Sequence, residues 1–305
     1  MKRLIPLICA AAVLLAGCGA KKTAPDAAAD LPEDEEILLT INSREVPAWR
    51  YLCWLERACS AAAAQYEAAG QEADFSGEAG EALKAQALFD TALYAAVEDM
   101  AAEHAVTLTA EEAAALDPSA WSSLPAQRQA ELTAVGGLYA KLCALVAEEG
   151  SALAPGEETL AAFAQEQNCI TLDRILIPAG EGAGDKAAAL YARLNGGGQA
   201  AFEAAKAESA DTAGTRTFFM GDGTVSPALE SAAAVLESGQ ISGILETTEG
   251  YSILLRLPTN LTDIAVPWLD AQLQSAAEGA LVQTTERYDT LDVGAYYALL
   301  LREAN

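Results

Sequence analysis

Residues 169–258 switch between strand-forming and helix-forming runs on a spacing that leaves few folds open. Thr171 to Ile177 is an apolar, β-branched run closed by Pro178 and a glycine-rich loop. Asp185 to Leu194 reads as a helix stopped by Gly196-Gly197-Gly198, residues suited to a left-handed cap. Ala200 to Ser209 reads as a second helix and Thr215 to Met220 as a second strand. Ser226-Pro227 supplies an N-cap and a first-turn proline for a third helix ending before Gly239. Ile241 to Thr247 and Tyr251 to Leu257 close the segment as strands. The order β-α-α-β-α-β-β predicts a compact α+β unit.

The flanks read differently. Alanine fills 69 of the 305 positions, so much of the 52% hydrophobic content is helix propensity rather than core bulk. Ile37 to Val46 reads as a strand, a turn near Asn42-Ser43 and a re-entering strand. Pro47 then opens a helix to about Ala69, and Glu81 to Glu103 forms a longer one. Thr109-Ala110-Glu111-Glu112 is a capping box, in which hydroxyl and carboxylate each satisfy a free backbone N–H. Helices follow near 127–149 and 157–167, and residues 263–303 return to helix with a break around Asp289 to Gly294.

Charge excludes several functions. With 18 Lys+Arg against 44 Asp+Glu the formal charge is −26, the wrong sign for displacing counterions from nucleic acid. It is equally wrong for a polybasic dock on anionic lipid. His104 is the single histidine, so multi-histidine zinc sites are out, and neither a metal nor a cofactor is implied.

The N-terminus points to export. Met1-Lys2-Arg3 is a basic n-region before an apolar run from Leu4 to Ala16, too short to span a bilayer comfortably. Leu15-Ala16-Gly17-Cys18 resembles the lipobox of bacterial lipoproteins. That resemblance implies cleavage after Gly17, a diacylglycerol thioether on Cys18 and an extracytoplasmic, membrane-anchored protein. The domain reading is a signal at 1–17, a lipidated tether at 18–36 ending in the acidic run Glu33-Asp34-Glu35-Glu36, then helical, sheet and helical segments at 37–168, 169–258 and 259–305. Cys53, Cys59, Cys143 and Cys169 remain after export. Six residues of helix rise about 9 Å, so Cys53 and Cys59 do not reach each other. Cross-pairing to Cys143 or Cys169 stays open beside the simpler reading of buried thiols.

Within the middle unit, Arg174-Ile175-Leu176-Ile177, Phe218-Phe219-Met220-Gly221-Asp222-Gly223, Pro227-Ala228-Leu229-Glu230 and Gly250-Tyr251-Ser252-Ile253-Leu254 follow one another in a fixed order. Together with Leu236 to Ser242 they resemble the parvulin peptidyl-prolyl isomerase domain. Ile41-Asn42-Ser43 and the helix running into Val106-Thr107-Leu108-Thr109 extend the likeness to PrsA- and SurA-type foldases. The fold implied is α+β: a helical chaperone-like module from the N- and C-terminal segments, with an inserted parvulin-like βααβαββ domain. The partners implied are unfolded or exported polypeptides.

The departures bear on chemistry. The family's two site histidines align with Arg174 and Ser252, its Cys/Asp with Asp211 and its Thr with Thr247. Met220, Val225 and Leu229 stand where the family lines its proline pocket. Prolyl isomerisation needs no nucleophile, only tighter binding of the twisted amide across a barrier of about 18–20 kcal/mol. Losing both histidines and gaining a permanent charge leads to the expectation that Arg174 and Asp211 pair and fill the former site. Ser252 and Thr247 also suit solvent-facing strand positions, and Val225 and Leu229 an ordinary helix-to-sheet core. Three functions follow: a folding factor with little isomerase activity, an active isomerase with an atypical site, or a lipoprotein scaffold for one dedicated partner.

Overall fold

The computed structural model describes residues 31–303. The signal at 1–17, Cys18 and the tether as far as residue 30 lie outside the described residues. The protein divides into two compact units, one holding the residues up to Glu103 together with those from Leu273 onward, the other His104–Gln272.

In the first unit, β1 (Ile37–Ile41) and β2 (Arg44–Pro47) form an antiparallel hairpin in which Ile41 faces Arg44. Asn42 and Ser43 between them take φ of 50° and 68°, as a two-residue turn matched to strand twist requires. The acidic run before β1 keeps Glu33, Asp34 and Glu35 exposed, while the Asp34 and Glu36 carbonyls accept the free N–H groups of Trp49 and Ala48. Helix α1 (Ala48–Ala68) starts directly behind Pro47, and Ala48, Tyr51, Leu55 and Cys59 are buried along it at helical spacing. It packs on α2 (Glu78–Glu103), with Trp54 edge-on to Tyr94 at 4.5 Å. Arg50 pairs with Glu98 of α2 at 2.7 Å, and Arg44 pairs with Glu98 and Asp99.

The second unit opens with α3 (Ala110–Ala114), whose capping box forms as expected: Glu112 N–H donates to Thr109 Oγ1 and Thr109 N–H to the Glu112 carboxylate. Lys141 of α4 (Ala126–Ala147) bonds that same carboxylate and the Thr107 carbonyl. Gly137 lets α4 approach closely, since a Cβ there would meet Leu116 at 2.8 Å and Leu108 at 2.9 Å. Helix α5 (Glu157–Glu166) leads into β3 (Cys169–Pro178), followed by α6 (Ala183–Leu194), α7 (Gly198–Ala205), β4 (Arg216–Phe219), α8 (Pro227–Ala234), β5 (Leu245–Thr247) and β6 (Gly250–Leu257). The strands form one antiparallel sheet in the order β4-β3-β6-β5.

Period-two alternation gives that sheet two apolar faces. Ile175, Ile253 and Leu255 pack with Leu190, Leu194 and Phe202 of α6 and α7. On the opposite face, Ile170, Leu172 and Leu254 pack with Val225, Leu229 and Ala233 at α8. Two local expectations need correction. The strand expected over Ile241 to Thr247 shrinks to Leu245–Thr247, because the Ser242 hydroxyl accepts the Leu254 N–H and leaves Ile241 as an isolated bridge to Leu255. Ser226 precedes α8 in extended backbone but makes no side-chain cap.

Helix α9 (Ala265–Glu278) opens in the second unit, its first residue packing with Leu160 and Ala164 of α5. The remaining elements belong to the first. Strand β7 (Val282–Thr284) pairs antiparallel with β1, giving the order β2-β1-β7. Thr285 caps α10 (Glu286–Asp289), and α11 (Val293–Glu303) packs on α1 and α2. Lys84 of α2 is buried, with its ammonium 4.9 Å from the Tyr288 ring centre and donating to the Asp289 carbonyl at 3.3 Å.

Candidate functional site

The α8 face of the sheet carries the residues singled out by the sequence. Arg174 sits mid-β3 opposite Leu254, and Ser252 lies one step along β6 opposite Leu176, on the same face. Asp211 arrives on the segment after α7, which is fastened to β3. The Ala210 N–H donates to the Leu176 carbonyl at 2.9 Å. The Leu176 N–H and the Asp211 N–H both donate to Ser209 Oγ at 3.0 Å.

Arg174 and Asp211 pair. Arg174 Nε donates to Asp211 Oδ2 at 2.7 Å, and the two side chains are only 7% and 4% exposed. Arg174 Nη1 donates to Glu249 Oε2 at 2.7 Å, from a turn residue that is 57% exposed. Asp211 Oδ1 accepts from Arg216 Nη2 at 2.6 Å and from the Ala213 N–H at 3.1 Å. Burial alone would raise the Asp211 carboxyl, but the hydrogen bonds from Arg216 and Arg174 outweigh it and hold the group below the ordinary carboxylate range. Burial likewise works against charge on Arg174, yet Glu249 and Asp211 together keep its guanidinium more firmly protonated than usual.

Sequence reading missed Arg216 and Glu249. Arg216 faces Leu172 across the β3–β4 ladder, so the two-residue period places it on Arg174's side of the sheet. That signal was available once the register was known. Glu249 reaches Arg174 because the two-residue turn between Thr247 and Gly250 folds β5 back on β6.

Ser252 corrects the solvent-facing reading: it is 0% exposed, and its hydroxyl has no hydrogen-bond partner. A central strand covered by the α8 cluster leaves it no water. Thr247 is half-buried and donates its hydroxyl to the Gly250 carbonyl at 3.0 Å, across the turn. Val225 and Leu229 are buried in the cluster with Phe218 and Leu254, whereas Met220 stays outside it, 38% exposed. His104 is exposed beyond the end of α2. No cluster of three or more His, Cys, Asp or Glu suited to a metal occurs among the described residues.

Residues 173–257 match the PPIC-type PPIASE domain family. This protein contains a PPIC-type rotamase domain. That match spans Arg174, Asp211, Thr247 and Ser252, so the ion cluster lies within the rotamase fold itself. No curated protein matches the sequence. Among solved structures it is similar to PrsA from Bacillus subtilis, at 15% identity and a TM-score of 0.31, covering 81% of this protein and 91% of that one. It is similar also to the peptidylprolyl isomerase PrsA from Bacillus anthracis, at 19% identity and a TM-score of 0.26, covering 58% and 74%. A SurA-like chaperone of Campylobacter jejuni aligns at 14% identity and a TM-score of 0.26, covering 88% and 98%.

A rotamase acts by holding an X–Pro amide away from planarity, and it needs an apolar seat and polar groups free to turn toward that amide. Here the Arg174 guanidinium spends Nε and Nη1 on carboxylates. The Ser252 side chain is a short hydroxyl sealed in the core.

Proposed function

We propose that this protein is an extracytoplasmic folding factor, anchored through lipid on Cys18, that binds unfolded or exported polypeptides and whose rotamase domain has lost most of its prolyl isomerase activity. The observation that carries this reading is the buried Arg174–Asp211 pair, extended by Arg216 and Glu249. Two positive and two negative groups cancel there. Separating a buried pair to admit a proline ring leaves an uncompensated charge, at a cost of about 3–5 kcal/mol. A twisted amide offers no interaction that replaces a carboxylate on guanidinium.

The −26 charge supports the client reading, since it attracts basic unfolded polypeptides at long range and keeps the folding factor itself soluble. Light scattering tests it. Several unrelated clients diluted from denaturant are expected to aggregate less when the full-length protein is present, with a stronger effect on basic clients at low salt. No effect on any client contradicts the folding-factor reading and favours a scaffold for one partner.

A further inference from the structure

Arg256 differs from the other arginines of the rotamase segment. Arg174, Arg193 and Arg216 each pair with Asp or Glu. Arg256, half-buried near the end of β6, donates Nη2 to the Cys169 carbonyl at 3.2 Å and Nη1 to the Ala233 carbonyl at 3.5 Å. Both acceptors are neutral. Among the described residues no carboxylate comes within ion-pair distance of it, in a protein where acids outnumber Lys+Arg 44 to 18. A guanidinium has five N–H donors, so two carbonyl bonds leave donors unused on a cation that has already lost part of its hydration.

Arg256 also lines an open surface cleft of about 370 Å³ within the second unit, a volume near the lower end of that of small-ligand sites. Ala161 and Ala164 of α5 and Leu261 form its apolar wall, and Gln165 and Thr259 add neutral polar groups. Arg174, Asp211, Thr247 and Ser252 are absent from its lining, so the cleft is independent of the rotamase site and of whether that site is active.

We propose that this cleft binds a peptide carboxylate, carried either at the C-terminus of a polypeptide or on an acidic side chain. One cation matches one monoanion, and a strongly acidic protein disfavours ligands of higher negative charge. The apolar wall fits the short aliphatic stem that bears a carboxylate in a peptide. Gln165 and Thr259 can hydrogen-bond the adjoining amide, which distinguishes a peptide from a free anion.

Titration calorimetry on the full-length protein tests this with four probes: acetyl-Ala-Ala-Ala with a free carboxylate, its C-terminal amide, acetyl-Ala-Asp-Ala-amide, and sodium acetate. At least one acid-bearing peptide is expected to bind, and the one that does identifies the source of the carboxylate. The uncharged amide and acetate are expected to bind about tenfold more weakly or worse, the loss of one charge-assisted contact. Arg256→Gln should lose the same factor. Because Arg256 also bonds two carbonyls, Ala161→Phe provides a second variant: residue 161 is exposed on α5, and the ring fills the cleft from its wall. Binding of neither acid-bearing peptide overturns the proposal. So does equal binding of acid and amide, equal binding of acetate, or peptide binding that survives both substitutions.

Discussion

Ser252 and Asp211, two residues singled out by the resemblance to the parvulin domain, carry opposite energetic signs. The Ser252 hydroxyl is buried and unbonded, and such a group costs about 1–3 kcal/mol against a bonded one. Ser252→Ala is therefore expected to leave stability unchanged or raise it by about 1 kcal/mol, read as a higher urea midpoint. Asp211→Asn removes the charge between two arginines and should destabilise by about 3–5 kcal/mol. Its pH dependence follows from the depressed carboxyl. A carboxylate held below its unfolded value of about 3.9 contributes its full stability above that pH, and the contribution disappears as pH falls through the folded value. The wild-type urea midpoint should thus fall more steeply below about pH 4 than that of Asp211→Asn; parallel curves would contradict the assigned role of the pair.

At the scale of elements, most of the fold was legible because local signals agreed with one another. The β-α-α-β-α-β-β order stands, from apolar strands stopped at Pro178 and glycine-stopped helices. The Thr109–Glu112 capping box formed because both of its bonds are local. Strand β7 was not legible: Val282-Gln283-Thr284 is three residues long, and its strand state comes from pairing with β1, more than 200 positions away. The shortening of β5 was hidden for a similar reason, since it depends on Ser242 taking a ladder bond through its side chain. The site was half legible: the Arg174–Asp211 pair followed from the family positions, but Glu249 and Arg216 required the register. Gly250 links these levels. At φ 134° it begins β6 where an added Cβ would lie 2.2 Å from the Ile177 carbonyl oxygen. Gly250→Ala should cost about 2–4 kcal/mol and displace the turn that presents Glu249 to Arg174. Thermal melts of this variant and of Glu249→Gln separate the two effects, since an exposed partner contributes little alone.

At the scale of the whole molecule, Cys53, Cys59, Cys143 and Cys169 are all free thiols, three of them buried. Burial pushes Cys53 and Cys59 up to about 12 and Cys169 up to about 11, so little thiolate forms near neutrality. Native alkylation of these three at pH 8 is expected to run roughly tenfold or more slower than in denaturant, and mass spectrometry of the labelled peptides checks it. Cys18→Ser should move the protein from the membrane fraction to the soluble one; retention at the membrane would contradict the lipid anchor.

On the proposed reading the Arg174–Asp211 ion cluster stands in place of a catalytic seat and leaves the rotamase domain little or no turnover. Cis–trans exchange of an X–Pro peptide, followed by NMR with the purified full-length protein and no coupling protease, reads this without intermediaries. Uncatalysed exchange takes tens to hundreds of seconds at 25 °C, a background slow enough to expose weak catalysis. Exchange at or close to the buffer rate is expected for peptides carrying any of several residues before proline. Exchange well above that rate, lost on Asp211→Asn in protein that remains folded, would contradict the replacement and make the cluster part of a working site.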